Sequence, residues 1–144
     1  MTTNSKKTLI VIGGPTGSGK TDLSIKVAEH FGVPILSADS RQFFKGMAIG
    51  TAQPTEEQLD RVRHHLIATH DITEEYNCGR YEKEALAILK ELFSTNDIVV
   101  AVGGSGLYID ALCDGMDELP RATAELRNEL SKRLEKGGLE SLQE

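Results

Sequence analysis

The sequence predicts an α/β fold: a parallel sheet with helices on both faces. Three observations carry that prediction. Short apolar runs at residues 8–12 (TLIVI), 34–38 (PILSA) and 98–102 (IVVAV) are separated by segments of helical period, and parallel strands need such crossovers. The runs are apolar at nearly every position, as in strands covered on both faces. Glycine turns, Gly13-Gly14 and Gly103-Gly104-Ser105-Gly106, close the first and third runs, as expected at tight strand-to-helix junctions.

Taken in order, the first strand ends at Gly13-Gly14. From Lys20 onward Leu23, Val27 and Phe31 fall at i, i+4 and i+8, one stripe of a helix that Gly32 stops. Pro34 opens the second strand, which runs into the polar Asp39-Ser40-Arg41-Gln42. Residues 43–55, with Gly46, Gly50 and Pro54, predict an irregular excursion. Thr55-Glu56-Glu57-Gln58 has capping-box spacing for a helix on which Leu59, Val62 and Leu66 share a face, with His64-His65 inside it. A further helix over 81–93 is expected to bury Ala85, Leu89, Leu92 and Phe93. The third strand and its GGSG turn lead to a short helix. From Pro120 the texture shifts, and Leu126, Leu130 and Leu134 mark an amphipathic helix ending at Gly137-Gly138. Three strands are too few for a doubly wound sheet, which has about five or six, and the sequence closes on the charged helical segment SLQE. An incomplete core, the N-terminal part of a longer protein, is therefore expected.

Composition bounds the function classes. The 144 residues fit one domain, and 39% hydrophobic with 26% charged residues is a globular balance. No apolar run reaches the ~18–20 residues of a membrane span, and MTTNSKK does not lead into a signal-peptide core. A net charge of −6 argues against a general nucleic-acid clamp, without excluding a local basic patch. Cys78 and Cys113 make no metal or disulfide framework and read as buried small hydrophobes, so a reducing, cytoplasmic setting is expected.

The chemistry is carried by Gly14-Pro15-Thr16-Gly17-Ser18-Gly19-Lys20-Thr21, which matches G-x-x-x-x-G-K-[ST]. Its glycines let backbone N–H groups turn inward around a di- or triphosphate. Lys20 adds a point charge, the helix start adds its dipole, and the Thr21 hydroxyl can ligate Mg²⁺. Strand, loop and helix together specify a P-loop NTPase-like parallel sheet. Hydrolysing members of that class carry an acid on a second strand, but DIVVAV ends in Gly103-Gly104. The acid at a strand's carboxyl end is Asp39, at the edge where such sheets bind ligands, where it can serve as a base or assist a metal; its plain alternative is a turn cap. The GGSG turn is equally readable as a tight turn. His64-His65 suits packing better than metal binding, since helical neighbours diverge and no third ligand is evident. Arg61, Arg63 and Arg80 read as solvated charge, and Arg41 has a positional reason to contact a ligand.

GPTGSGKT, SADSRQ, FKGMAIGTAQPT, HHL and VGGSGLY, in this order and spacing from about Leu9 to Arg127, resemble the tRNA dimethylallyltransferase family. The resemblance implies transfer of a dimethylallyl group from its pyrophosphate to the exocyclic amine of the adenine beside the tRNA anticodon. It implies that Gly14 to Thr21 bind the pyrophosphate, with Thr16 directing its hydroxyl to that group and Thr21 holding Mg²⁺. Asp39 would be the base, and Asp39, Ser40, Arg41 and Gln42 the strip against the target nucleotide. Ser105, where the family commonly has threonine, and Arg127 would contact tRNA. Phe44, Ala48 and Gln53 stand where tyrosine, aspartate and lysine are common, the last removing a cation near the phosphates. Family members are longer, which divides this chain into a core at residues 1–119 and the truncated helical start of an insertion domain at 120–144. The 144 residues alone are expected to be inactive, and the protein to be a cytoplasmic monomer. Competing readings are an ATP-dependent small-molecule kinase, prenylation of free adenine nucleotides, and a non-catalytic RNA-binding module, which the acidic charge and few aromatics oppose.

Overall fold

A computed structural model describes residues 6–116 and 123–143. Its sheet contains β1 (Thr8–Gly13), β2 (Ile35–Ser37), β3 (His64–His65) and β4 (Ile98–Gly103), all parallel, in the order β1-β4-β2-β3. The three strands expected from sequence are present, and β3 is an addition. Strand periodicity sorts their side chains between two cores. Leu36, Ala38, Val99 and Ala101 face one side with Leu9 and Val11; Ile35, Val100 and Val102 face the other with Ile10 and Ile12. Alternation inside wholly apolar strands is what lets one sheet carry helices on both faces.

Helix α1 (Lys20–Phe31) covers the second face through Ser24, Ile25 and Ala28, all fully buried. The predicted stripe is displaced: Val27 is half-buried, while Leu23 and Phe31 are 52% and 44% exposed. The phosphate-loop turn fixes the rotation of α1, and the small Ser24 and Ala28 let its backbone approach the sheet where Leu23 and Phe31 could not fit.

The segment after the excursion departs further from expectation. The capping box forms, with Thr55 Oγ1 accepting from Gln58 N at 3.2 Å and Gln58 Oε1 accepting from Thr55 N at 2.9 Å. The resulting α2 spans only Glu56–Arg61, and Val62 is already extended at φ −140°. Val62 enters the second core and Leu66 the first, so they do not share a helix face. His64 and His65 lie in β3, paired with Ile35 and Leu36. Pairing with the otherwise open edge of β2 competes with helix continuation, and Leu66 and Ala68 at φ 62° and 49° cannot belong to a right-handed helix.

The first face is covered by α3 (Cys78–Thr95) and α4 (Gly106–Cys113). Asn77 caps α3, its Oδ1 accepting from Arg80 N at 2.9 Å. Tyr81, Ala85 and Leu89 form its buried stripe, with Leu92 and Phe93 partly buried. The helix thus extends three residues before and two beyond the expected 81–93. Cys78 is buried as expected; Cys113 is exposed, the α4 surface there turning away from the sheet. Partial desolvation, with Glu82 and Asp110 near Cys78 and Asp114 and Asp110 near Cys113, pushes both thiols above their ordinary pKa. Thr123 caps α5 (Ala124–Gly137), which Gly138 ends at φ 65°. Its Leu126, Leu130 and Leu134 are 46%, 40% and 45% exposed, and Ser141 Oγ donates to the Arg133 carbonyl at 2.9 Å, tying α5 to the turn at Leu139–Leu142. Pro120 and the expected boundary at 119/120 lie outside the described residues.

Candidate functional site

The site is built where the carboxyl ends of β1, β2 and β4 meet. The phosphate loop turns through Gly17 and Gly19, at φ 80° and 82°, a region that L side chains avoid. Ser18 Oγ donates to the Pro15 carbonyl at 2.7 Å, and Lys20 Nζ donates to the same oxygen at 2.9 Å. The lysine therefore curls back over the loop that it serves. Gly19 caps α1 without a side chain, leaving the first N–H groups of the helix free for an anion.

Gly103 ends β4 against the end of β2, and a Cβ there would run into the Ala38 carbonyl. A Cβ on Gly104 would lie 3.2 Å from the Gly14 carbonyl oxygen and 3.8 Å from both Asp39 Oδ2 and Lys20 Cε. The GGSG turn is thus what permits β1, β2 and β4 to bring Lys20 and Asp39 together. Ser105 contributes as well: its Oγ accepts from Ser40 N at 2.9 Å, fixing the residue after Asp39.

Asp39 is half-buried, and its Oδ1 accepts from Arg41 N at 3.0 Å. The turn cap and the cleft position coexist, because the carboxylate has a second oxygen. From Asp39 onward the strip is tied down by its surroundings. Phe43 is fully buried, with ring centroids 4.5 Å from Tyr76 and 5.6 Å from both Tyr81 and Tyr108. The Tyr81 hydroxyl donates to the Ser37 carbonyl at 3.2 Å, anchoring the end of β2. Gln42 donates its amide to the carbonyls of Thr51 and Ala52 at 3.3 and 3.0 Å, and Gln53 donates to those of Gln42 and Phe44 at 3.0 and 2.9 Å. The position expected to lack a cation therefore carries a neutral clasp on the strip. Lys45 N and the His70 carbonyl, and His70 N and the Phe43 carbonyl, are each paired at 2.9 Å.

His70 is itself held by Glu84, which also accepts from Tyr76 Oη and Arg80 Nε at 3.0 Å each. Burial raises the Glu84 carboxyl's pKa, but hydrogen bonds from Arg80, Tyr76 and His70 outweigh it and hold the group below the ordinary range. Arg80 and Arg61 are thus ion-paired, the latter in a two-pronged contact with Glu29 at 2.8 Å.

Lys20, Thr21, Asp39 and Gln42 line one small cavity of about 10 Å³ with Pro54, His64, Ile67, Val102 and Gly103. Thr16 is exposed on the loop. Arg127 does not line this cavity; it lies on α5, 3.8 Å from Glu75. Sequence reasoning missed His64, Pro54 and Ile67. The polar doublet following a short capped helix was the available signal, but the edge pairing that places it is long-range. The Thr21 hydroxyl and Asp39 carboxylate suit a small hard cation that keeps most of its waters and shares ligands with a phosphate. Among the described residues no group of three or more His, Cys, Asp or Glu stands together as a protein-built cage.

A parallel sheet, a glycine loop folded around a lysine, and a strand-end acid beside it define a protein of the P-loop α/β class. The family described as IPP transferase matches residues 42–144, and the chain belongs to it. A tRNA dimethylallyltransferase of Flavobacterium johnsoniae is 54% identical over 138 residues, 96% of this chain and 45% of the relative. Another, of Bacteroides thetaiotaomicron, is 49% identical over 94% of this chain and 44% of its own length. The full-length tRNA isopentenylpyrophosphate transferase of Bacillus halodurans superposes with a TM-score of 0.75 at 34% identity, covering 95% of this chain and 46% of that one. A eukaryotic dimethylallyltransferase acting on tRNA shares the fold, with a TM-score of 0.74 at 24% identity over 97% of this chain and 38% of its own. The chain spans about 45% of the length of the curated relatives it matches.

Proposed function

We propose that this chain supplies the donor-binding and base-bearing part of a tRNA dimethylallyltransferase, moving a dimethylallyl group from its pyrophosphate to the exocyclic amine of the adenine beside the anticodon. The convergence of Lys20, Thr21 and Asp39 on one cavity carries the reading, and the similarity to tRNA dimethylallyltransferases supports it.

The free N–H groups of the loop and α1, with Lys20 released from Pro15, receive the pyrophosphate and stabilise charge that grows as it leaves an allylic carbon. Thr16 directs its hydroxyl to the same group. Thr21 would hold Mg²⁺, which when bound neutralises the departing diphosphate. An adenine amine is a poor nucleophile because its lone pair is delocalised into the ring; Asp39 accepts its proton as the C–N bond forms. Ser40, Arg41 and Gln42 present the target nucleotide, and Ser105 and Arg127 reach the tRNA. The base must first leave its stack, at a cost of a few kcal/mol in a duplex and less in a loop. We take the protein to act as a monomer. No helix among the described residues is long and apolar enough to cross a membrane; with tRNA as the substrate, the cytoplasm is the setting proposed. The division proposed is a core up to residue 119 and the start of an inserted helical domain from 120, of which residues 6–116 and 123–143 are described.

The test is a pair of release assays on the full-length protein. Pyrophosphate should leave dimethylallyl pyrophosphate when tRNA is added, far faster than with AMP or ADP, and ATP should release no phosphate with or without RNA. RNA-stimulated ATP hydrolysis without prenyl transfer would overturn the proposal.

A further inference from the structure

The edge strand β3 carries a histidine that the proposed chemistry leaves unused. His64 Nδ1 lies 2.7 Å from the Val62 carbonyl oxygen. A carbonyl only accepts, so Nδ1 carries the proton, and in the neutral ring Nε2 is a bare acceptor. Burial holds the ring's pKa below its ordinary value, which keeps it neutral near pH 7. Yet Nε2 is buried and has no hydrogen-bond partner, a condition that native proteins rarely leave unanswered. His64 is among the residues lining the cavity with Lys20, Thr21, Asp39 and Gln42, and the cavity's volume of about 10 Å³ is near that of one water. His65 makes a natural comparison. Its Nε2 is also buried and unpaired, but its register with Leu36 directs it to the opposite face of the sheet, and it does not line the cavity.

We propose that His64 is a positioning residue of the diphosphate site, its Nε2 accepting a hydrogen bond from one water held between β3 and the Lys20–Thr21 turn. A neutral imidazole fixed by Val62 is a directional acceptor. It orients that water's oxygen lone pairs toward the cationic side of the cavity, where Lys20 or a metal ion shared with the diphosphate receives them. The edge strand thereby takes part in donor binding without touching the donor. This inference rests on the reading of Lys20–Thr21 as a diphosphate site.

Calorimetric titration of the full-length protein with inorganic pyrophosphate, with and without Mg²⁺, separates the two. Asparagine at position 64 keeps a donor near Nδ1 and removes the acceptor; glutamine returns an amide oxygen close to the Nε2 position. His64→Asn should weaken pyrophosphate binding about 5- to 20-fold, the scale of one lost buried hydrogen bond. His64→Gln should bind within about twofold of the native protein, and so should His65→Asn, by the same reasoning. A loss confined to Mg²⁺-containing titrations assigns the water to the metal's shell, and a loss in both assigns it to Lys20. The inference is overturned if His64→Asn binds within twofold of native, if His64→Gln is no better than His64→Asn, or if His65→Asn weakens binding equally. A native protein that does not bind pyrophosphate overturns the diphosphate reading and this inference with it.

Discussion

The turn at Gly14–Thr21 and the stretch from Val62 to His70 both border the same cleft, but different forces hold them. The turn is self-sufficient: Ser18 and Lys20 bond to Pro15 within the loop, and positive φ angles fall on glycines. The second stretch has local bonds only at its ends, His64 Nδ1 to the Val62 carbonyl and Thr69 Oγ1 to His70 Nδ1. It places Leu66 and Ala68 at positive φ, pairs two residues with β2, and depends on Gln42, Phe43, Lys45 and Glu84 for its long-range bonds. A locally encoded turn keeps its shape without help from the rest of the cleft. A segment encoded at long range ties the strip after Asp39 to the first core, through Gln42 and Phe43.

That contrast can be broken most strongly at Phe43. Phe43→Ala empties the ring cluster beneath the strip and should cost about 3–5 kcal/mol in chemical denaturation, with loss of hydrogen-exchange protection spreading through 62–70 before it reaches the loop. Next is Gly103→Ala, which sets a methyl group against the Ala38 backbone and should cost about 1–3 kcal/mol because neither chain can yield without parting β2 from β4.

A pH series sharpens the comparison further. The folded-state pKa of Glu84 is depressed, so its contribution is complete above the ordinary glutamate value of about 4.3 and is lost as pH falls through the depressed one. The thermal midpoint should fall below about pH 4.5, and Glu84→Gln should flatten that fall by removing one carboxylate from the linkage. The smallest effect is expected at Ala68, where φ is 49°. Ala68→Gly relieves the left-handed strain but frees the unfolded chain, and should raise stability by no more than about 1 kcal/mol.

The same difference explains what was legible in the residues. The strands at 8–12, 34–38 and 98–102, the capping box at Thr55 and the α3 stripe follow from local periodicity and turn chemistry, and all are present. The phosphate loop was readable because its backbone demands glycine at particular offsets. The GGSG turn was ambiguous: its purpose depends on Ala38, 65 positions before Gly103, coming alongside it. β3 was illegible for a related reason, since two histidines become a strand only where β2 leaves an edge to pair with. The stripe on α1 was displaced because periodicity gives the width of a helix face but not its rotation. Resemblance supplied roles for Thr16, Ser40 and Arg127 that local pattern would not have suggested, whereas Arg41 already had a positional reason beside Asp39.

The most direct measurement is steady-state prenyl transfer to tRNA by the full-length protein and its Asp39→Ala variant, with Lys20→Ala as the contrasting case. A base acts on the rate, whereas the loop holds the donor. Asp39→Ala should therefore lower kcat about 10²- to 10⁴-fold with the KM for dimethylallyl pyrophosphate nearly unchanged, while Lys20→Ala should raise that KM as well as slow turnover. Turnover by Asp39→Ala within about threefold of native would contradict the assignment of the strand-end carboxylate as the base.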